Sequence, residues 1–593
     1  MGIRGNRVAV DVPAVGGSCS DSFDCLDDFG VYRFRAHFLD CGQLGAVQSV
    51  AVHSYSNTAL TRAPFWVGTL LLFSALVVYY FTVIRIDYRK TTLLDPRPID
   101  SVEYFAQANS LLKHGWPSIQ IGYDKLPSRF PFGYPVLMLP WLKMLPEADS
   151  ILAPFRTNQT LGFLFLLGVF AFYLYLTMPF TGGCAVLLLA TLPGFVTFCR
   201  SSLSEITASA LVVLAFMFAY LGLQQQCRWK IYLSAAFLGL SLNVRIQSLF
   251  FAPLLLGMIL FPTRDTPPRR VFHSIAMTII FLMTASPVLL LNTMEFHSPL
   301  KTGYDLWVPY WVENHRLFSV RYLPTNITYL WREITLRPNP YSVANVFGTG
   351  TVFVPAFVLL VCAGLPFIRM SRFVVCSFLA GLSFFVATAL FRFADGRLFL
   401  PLLILLIPIA VLPVHWAARN LFSLKRIIAA SGVFVLFAAA CLGYPSRSGY
   451  NTIKTDRSQL WDALHFVSPL PYSPHFLAQR RLLETFGRQP GVVLSDISPV
   501  YLNTLLPEPF VAAPIDEKHS YQFSKIWRYD RSHAVALARR GLDRLHAVYA
   551  LFASQKEMRE KRTRLPELDG YEWIPAETSA PDAVILKLKP NNG

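Results

Sequence analysis

FWVGTLLLFSALVVYYFTVI, residues 65–84, runs for twenty residues without a charge. In a helix that length rises about 30 Å, the thickness of a bilayer's hydrocarbon core. The stretch therefore reads as a membrane span, and it sets the reading of everything after it. Further apolar runs recur at roughly 156–178, 183–199, 203–223, 231–244, 247–261, 271–291, 349–367, 373–391, 398–415 and 427–444. Counting 231–261 as two short helices broken at Asn243-Val244-Arg245, the chain is expected to be a mainly α, polytopic membrane protein with about eleven transmembrane helices.

Composition agrees. Of 593 residues, 53% are hydrophobic and only 15% charged, too apolar a balance for one soluble globule. The formal net charge of +17 suits anionic lipid head groups. No basic stripe interleaved with aromatics appears outside the membrane-flanking loops, which excludes nucleic acid as a partner. Nine cysteines show neither CxxC nor Cys/His metal spacing.

Orientation follows from lysine and arginine in the short loops. One set of loops carries Arg228, Lys230, Arg264, Arg269, Arg270, Arg369, Arg372, Arg419, Lys425 and Arg426, and is assigned to the cytoplasm. The N-terminus is then inside. Residues 1–63, with Asp21, Asp24, Asp27 and Asp28 and no secretory leader pattern, read as a poorly ordered cytoplasmic extension ahead of an uncleaved signal anchor. Residues 64–445 form the transmembrane domain, with large outer loops at 85–155 and 292–348. In the tail, 446–593, apolar runs shorten to strand length at 491–497, 509–515, 545–552 and 583–589, with the helical stretch 533–545 between them. This predicts a small extracytoplasmic α/β domain. It has no glycine-rich phosphate fingerprint and is given no catalytic role.

The chemistry-bearing residues gather on the outer side. IDSVEYFAQANSLLKHG, residues 99–115, carries Val102, Phe105, Ala106 and Leu112 near helical spacing, with Gly115 as a stop. Asp100 and Glu103 fit an N-terminal capping pattern. They also fit a catalytic carboxylate and its neighbour, because Glu205, Arg129 and Arg397 are expected on the same side of the membrane. Glu205 opens a span, where an acid is either a site residue or a helix-start acid favoured by the dipole. Arg245 sits in the broken segment, where irregular backbone needs protein or a cavity around it; the other reading is an interfacial, snorkelling arginine. In the second outer loop, Lys301, Tyr304, Asp305 and Trp307 suit sugar or acceptor binding, or else an interfacial aromatic belt. The sequons at Asn158 and Asn326 are glycan acceptors only in a eukaryotic secretory system.

Five stretches in this order, IDSVEYFAQANSLLKHG, RFPFGYPVLMLPWLKML (129–145), SLSEITASALVVLAF (202–216), GLSLNVRIQSLFFAPLLL (239–256) and FADGRLFLPLLILL (393–406), resemble the C superfamily (GT-C) of membrane glycosyltransferases. The likeness is to the branch of the lipid A aminoarabinose transferases, protein O-mannosyltransferases and lipopolysaccharide-core transferases, and covers about residues 60–445. The resemblance implies a glycosyltransferase moving a hexosyl or pentosyl group from a polyprenyl-phosphate donor to an extracytoplasmic lipid, glycan or protein. It implies Asp100 as the base for the acceptor hydroxyl, Glu205 as a second acid, and Arg129 and Arg397 as partners of the donor phosphate; apart from the resemblance, Arg245 in the broken segment is a further phosphate candidate and Glu103 a reserve carboxylate. Many relatives carry consecutive Asp-Glu where this chain has Asp100-Ser101, which leaves a bound divalent metal only weakly supported; no other cofactor is implied. The expected location is the bacterial inner (plasma) membrane, no retention tail such as KDEL being read. A transporter of a lipid or small solute, or a non-catalytic membrane scaffold, remain the alternatives.

Overall fold

The computed structural model describes residues 58–85, 99–121, 124–260, 267–307, 317–334, 354–392, 396–420 and 424–443, together with the tail segments 492–495, 499–505, 511–514, 547–552, 559, 571–575 and 584–590. The expected N-terminal extension lies outside them up to residue 57, as does the helix expected at 533–545. Helix α1 (Thr58–Tyr79) starts several residues before the expected boundary and closes in a π turn, Tyr80–Ile84. Leu71, Ala75, Tyr79 and Val83, four residues apart, form its buried stripe, whereas Trp66, Leu70 and Phe73 are exposed. An exposed face that apolar is a lipid-facing one.

Next come α2 (Ile99–His114), the antiparallel hairpin β1 (Ile119–Ile121) and β2 (Asp124–Leu126), α3 (Gly133–Met144) and α4 (Ala153–Tyr175). α2 ends where the sequence predicts: Gly115 takes φ +71°, which only glycine adopts without strain, and its N–H donates to Leu111 O at 3.0 Å. α4 is locked to α1 by two buried hydrogen bonds. Tyr79 Oη donates to Gln159 O at 2.8 Å, and Gln159 Nε2 donates to Val83 O at 2.8 Å.

After α5 (Pro179–Thr191) and α6 (Pro193–Cys199), α7 (Glu205–Gln225) and α8 (Arg228–Leu242) form a long hairpin. A 3₁₀ turn (Ile246–Phe251) and α9 (Pro253–Leu260) lead to α10 (Pro267–Phe296). The break at Asn243 is held by its own side chain. Asn243 Nδ2 donates to Thr284 O at 2.7 Å, Val288 N–H donates to Asn243 Oδ1 at 2.9 Å, and Gly133 N–H donates to Asn243 O at 2.7 Å. The amide thus serves as partner to both Thr284 O and Val288 N–H, beside Pro287. A side chain at Gly133 has no room: its Cβ would lie 2.5 Å from Asn243 O.

The remaining helices are α11 (Gly303–Trp307), α12 (Leu323–Ile334), α13 (Pro355–Gly364), α14 (Arg372–Ala389), α15 (Leu400–Leu405), α16 (Ile407–Ala410), α17 (Leu412–Asn420) and α18 (Leu424–Gly443). Among the described residues five helices are long and apolar enough to cross a membrane, or up to seven if each bent pair is one span, against about eleven read from the sequence. Pro179–Thr191 and Pro193–Cys199 meet at 67°, and Gly396–Leu405 and Ile407–Ala417 at 54°. Prolines 193, 401 and 408 interrupt these runs, and Ile246–Leu255 and Pro355–Phe367 are too short to span unaided.

In the tail, β3 (Val492–Ser495), β4 (Val511–Pro514), β5 (Ala547–Phe552), β6 (Tyr571–Pro575) and β7 (Val584–Pro590) form a sheet of order β4-β3-β5-β7-β6. β3 pairs parallel with β4 and β5, and β7 pairs antiparallel with β5 and β6. Four strands fall on the four expected runs; β6 was not expected. The helix α19 (Pro499–Leu505) packs against α2 and β1, where Asn503 Nδ2 donates to Gln120 O at 3.1 Å.

Candidate active site

The N-terminal ends of α2, α3 and α7 and the Asn243 break converge on a chain of alternating charges. Glu103, 1% exposed, is fully occupied: its Oε2 accepts from Ser128 Oγ at 2.9 Å and Arg129 N–H at 3.2 Å, and its Oε1 from Arg129 Nε at 2.8 Å and Nη2 at 2.7 Å. Gln107 Nε2 donates to Ser128 Oγ at 2.9 Å and completes the clamp. Such a bidentate grip fixes the guanidinium plane.

One helical turn earlier, Asp100 is held more loosely. Its Oδ1 lies 3.4 Å from Arg129 Nη2 and its Oδ2 2.9 Å from Arg397 Nη2, with 22% of the side chain exposed. Burial by itself would raise the Asp100 pKa, but Arg397 and Arg129 outweigh it and hold the carboxyl below its ordinary value. It is ionised at neutral pH. The capping reading is corrected here: the helix begins at Ile99, Asp100 lies inside its first turn, and both carboxylates turn to guanidiniums.

Glu205 closes the chain from the other side. Its Oε1 is 2.5 Å from Arg245 Nη1 and 3.7 Å from Arg397 Nε, while its Oε2 is buried without a partner. The turn ahead of it is fixed by Asn158, 0% exposed, whose Nδ2 donates to Ser201 O and Leu203 O, both at 2.7 Å. Asn326 is likewise buried and donates to Ala389 O and Phe391 O. Both sequon asparagines are therefore structural, with no side chain presented for glycosylation.

Two cavities adjoin these groups. The inner one, about 30 Å³, is bordered by Glu205, Arg245, Arg397, Thr388 and phenylalanines 384 and 391. The outer one, about 250 Å³, has Arg129, Arg245, Ser128, Tyr304 and Glu295 on its wall. Arg245 and Gln247 border both. Tyr304, packed edge-on to Phe130 at 6.1 Å, has its pKa raised by burial, so its phenol is a donor. The other expected sugar-binding residues are placed differently. Lys301 is exposed and Asp305 accepts from Thr302 N–H at 2.9 Å to shape the turn, neither lying on the cavity wall; of Trp307 only the backbone is described. Among the described residues no group of three His, Cys, Asp or Glu side chains could hold a metal ion. Asp100 and Glu205 face guanidiniums, the opposite of a donor set for a divalent cation.

Sequence reasoning missed Gln107, Ser128, Asn158, Trp116 and Glu295. The first two sit within a few residues of Glu103 and Arg129, a signal that helix spacing could have shown; the long-range pairs carry none.

No protein-family model matches the chain, and no curated protein matches it by sequence. Solved structures do. The chain is similar to ArnT from Cupriavidus metallidurans bound to undecaprenyl phosphate, with TM-score 0.55 and 13% identity over 88% of this chain and 98% of that one. It is also similar to the apo state of the same protein, with TM-score 0.51 and 12% identity over 88% and 97%. At such identity the likeness speaks of fold: the chain is a polytopic membrane protein with the GT-C fold.

Proposed function

We propose that the protein is a membrane glycosyltransferase that moves a hexosyl or pentosyl group from a polyprenyl-phosphate donor to an extracytoplasmic lipid, glycan or protein. The observation that carries this reading is the charge chain itself: three arginines and three carboxylates packed beside a cavity of about 250 Å³. The fold it shares with a structure bound to undecaprenyl phosphate supports it.

Arg129 and Arg245 present fixed positive charge to the outer cavity, suited to a phosphate that gains charge as its bond to the sugar breaks. An arriving phosphate competes with Asp100 for Arg129. Loosened from that guanidinium, Asp100 becomes a stronger base and takes the acceptor's hydroxyl proton. The acceptor oxygen then bonds to the anomeric carbon, and the electrons of the broken carbon–oxygen bond pass to the departing polyprenyl phosphate. Glu205 is the weaker choice of base, because its unpaired oxygen is buried and the cavity the residue borders is only about 30 Å³. Its role is to hold Arg245 and Arg397. Glu103 holds Arg129. No step is routed through a metal.

The reading places the N-terminus in the cytoplasm of a bacterial inner membrane and the site on the outer face. Purified protein in nanodiscs, supplied with undecaprenyl phosphate carrying a radiolabelled sugar, is expected to release or transfer the label and leave undecaprenyl phosphate. A protein that only moves the intact lipid between leaflets of a vesicle would be a transporter, and the reading would fall.

A further inference from the structure

Glu295, in the last turn of α10, is the single carboxylate on the wall of the outer cavity among the described residues. Two arginines share that wall, yet no cation pairs with Glu295 among the described residues. Its one partner is neutral: Trp116 Nε1 donates to Glu295 Oε1 at 2.7 Å. A neutral donor orients one oxygen and leaves the carboxylate's charge in place for a ligand on the other.

Trp116 is itself held in a built turn. Gly115 sets the turn with its positive φ, Ser110 Oγ donates to the Trp116 carbonyl at 2.8 Å, and Ser110 and Ser118 share a hydrogen bond at 2.7 Å. The first outer loop and the end of α10 are thus joined by one indole–carboxylate bond at the edge of the cavity, with Pro117 and Phe296 on the wall beside it. The cavity, about 250 Å³, lies near the small end of ligand pockets, about 300 Å³, which suits a single ring.

We propose that Glu295, oriented by Trp116, is a specificity-determining residue that accepts hydrogen bonds from the hydroxyl groups of the donor's sugar ring while Arg129 and Arg245 hold its phosphate. This rests on the proposed function. An acid at one part of the wall and guanidiniums at another match a ligand with hydroxyl donors at one end and an anion at the other. Phosphate alone would be served by the arginines and repelled by Glu295.

The test compares two lipids on the whole protein in nanodiscs: undecaprenyl phosphate and undecaprenyl phosphate carrying glucose. Glu295→Gln keeps size and an acceptor but loses the charge, and Trp116→Phe removes the orienting donor. Both variants are expected to keep the wild-type thermal midpoint, to bind undecaprenyl phosphate no more weakly than wild type, and to bind the glucosyl lipid about tenfold more weakly, charge-assisted hydrogen bonds being about twice as strong as neutral ones. Equal losses for both lipids, or no loss for either, overturn the proposal. A third arm carries glucosamine: a loss in Glu295→Gln confined to that lipid would mean that the residue reads an ammonium, and also overturns it. Wild-type protein that binds none of the lipids would bring down the proposed function first, and this inference with it.

Discussion

The inner and outer cavities share Arg245 and Gln247 but are built for different work. The inner one, about 30 Å³, is bordered by Glu205, Arg397 and mostly apolar side chains; the outer one, about 250 Å³, has arginine, hydroxyl, phenol and carboxylate groups on its wall. The contrast shows that a buried carboxylate next to arginines is not by that fact the chemical group. Glu205 lies on the smaller cavity with its side chain 3% exposed, whereas Asp100, on the wall of neither, is 22% exposed and more loosely paired.

The largest effect on stability is expected at the inner cavity. Glu205→Leu leaves Arg245 without its carboxylate and Arg397 with a weaker setting, and breaking a buried pair costs roughly 3–5 kcal/mol. Thermal unfolding in detergent should show a marked fall in the midpoint; an unchanged midpoint would remove Glu205 from its holding role. Smaller in stability but larger in catalysis, Arg397→Lys keeps the charge and loses the planar fork, so transfer should fall while the protein stays folded. In Arg397→Ala, Asp100 loses one of the two cations that outweigh its burial, so its pKa rises and the acid limb of the transfer profile should move to higher pH. The same sign governs stability: the depressed Asp100 pKa contributes stabilisation present above the unfolded value and lost as pH falls through the folded one. An acid limb that stays put in Arg397→Ala would mean that another group sets it. Smallest of all, Lys301→Ala should leave transfer near wild type and stability within about 0.5 kcal/mol, since the side chain is exposed and off the cavity wall. A large loss of transfer would place the second outer loop closer to the substrate than this account does.

Patterns that depend on neighbours in sequence were legible. The apolar face of α2, its glycine stop, the break at Asn243-Val244-Arg245 and four of the tail strands can all be read from spacing, because 3.6-residue and two-residue periods are local. β6 escaped: Tyr571–Pro575 carries Glu572 and ends in proline, so its five residues lack a clean alternation. Apolar length does not reveal a bend: the prolines at 193, 401 and 408 fall within runs that hydropathy joins. At the site, Asp100, Glu103, Glu205 and the three arginines were all singled out, and the structure brings all six together. Their division of labour was not legible, since it rests on which oxygen meets which guanidinium. Nor were Asn158 and Asn326, where a sequon hid a buried amide, or Glu295, whose partner Trp116 lies far away in sequence.

Asp100→Asn tests the central claim most directly. Asparagine is nearly isosteric and its one oxygen still accepts from one of the two guanidiniums, but it takes no proton at neutral pH. Sugar transfer from a labelled undecaprenyl-phosphate donor, measured beside the thermal midpoint of the same preparation, should fall by about two to four orders of magnitude while the midpoint stays within a few degrees of wild type. Transfer at a near wild-type rate in that variant would contradict the account, leaving Asp100 as a spacer between two arginines and sending the search for the base elsewhere.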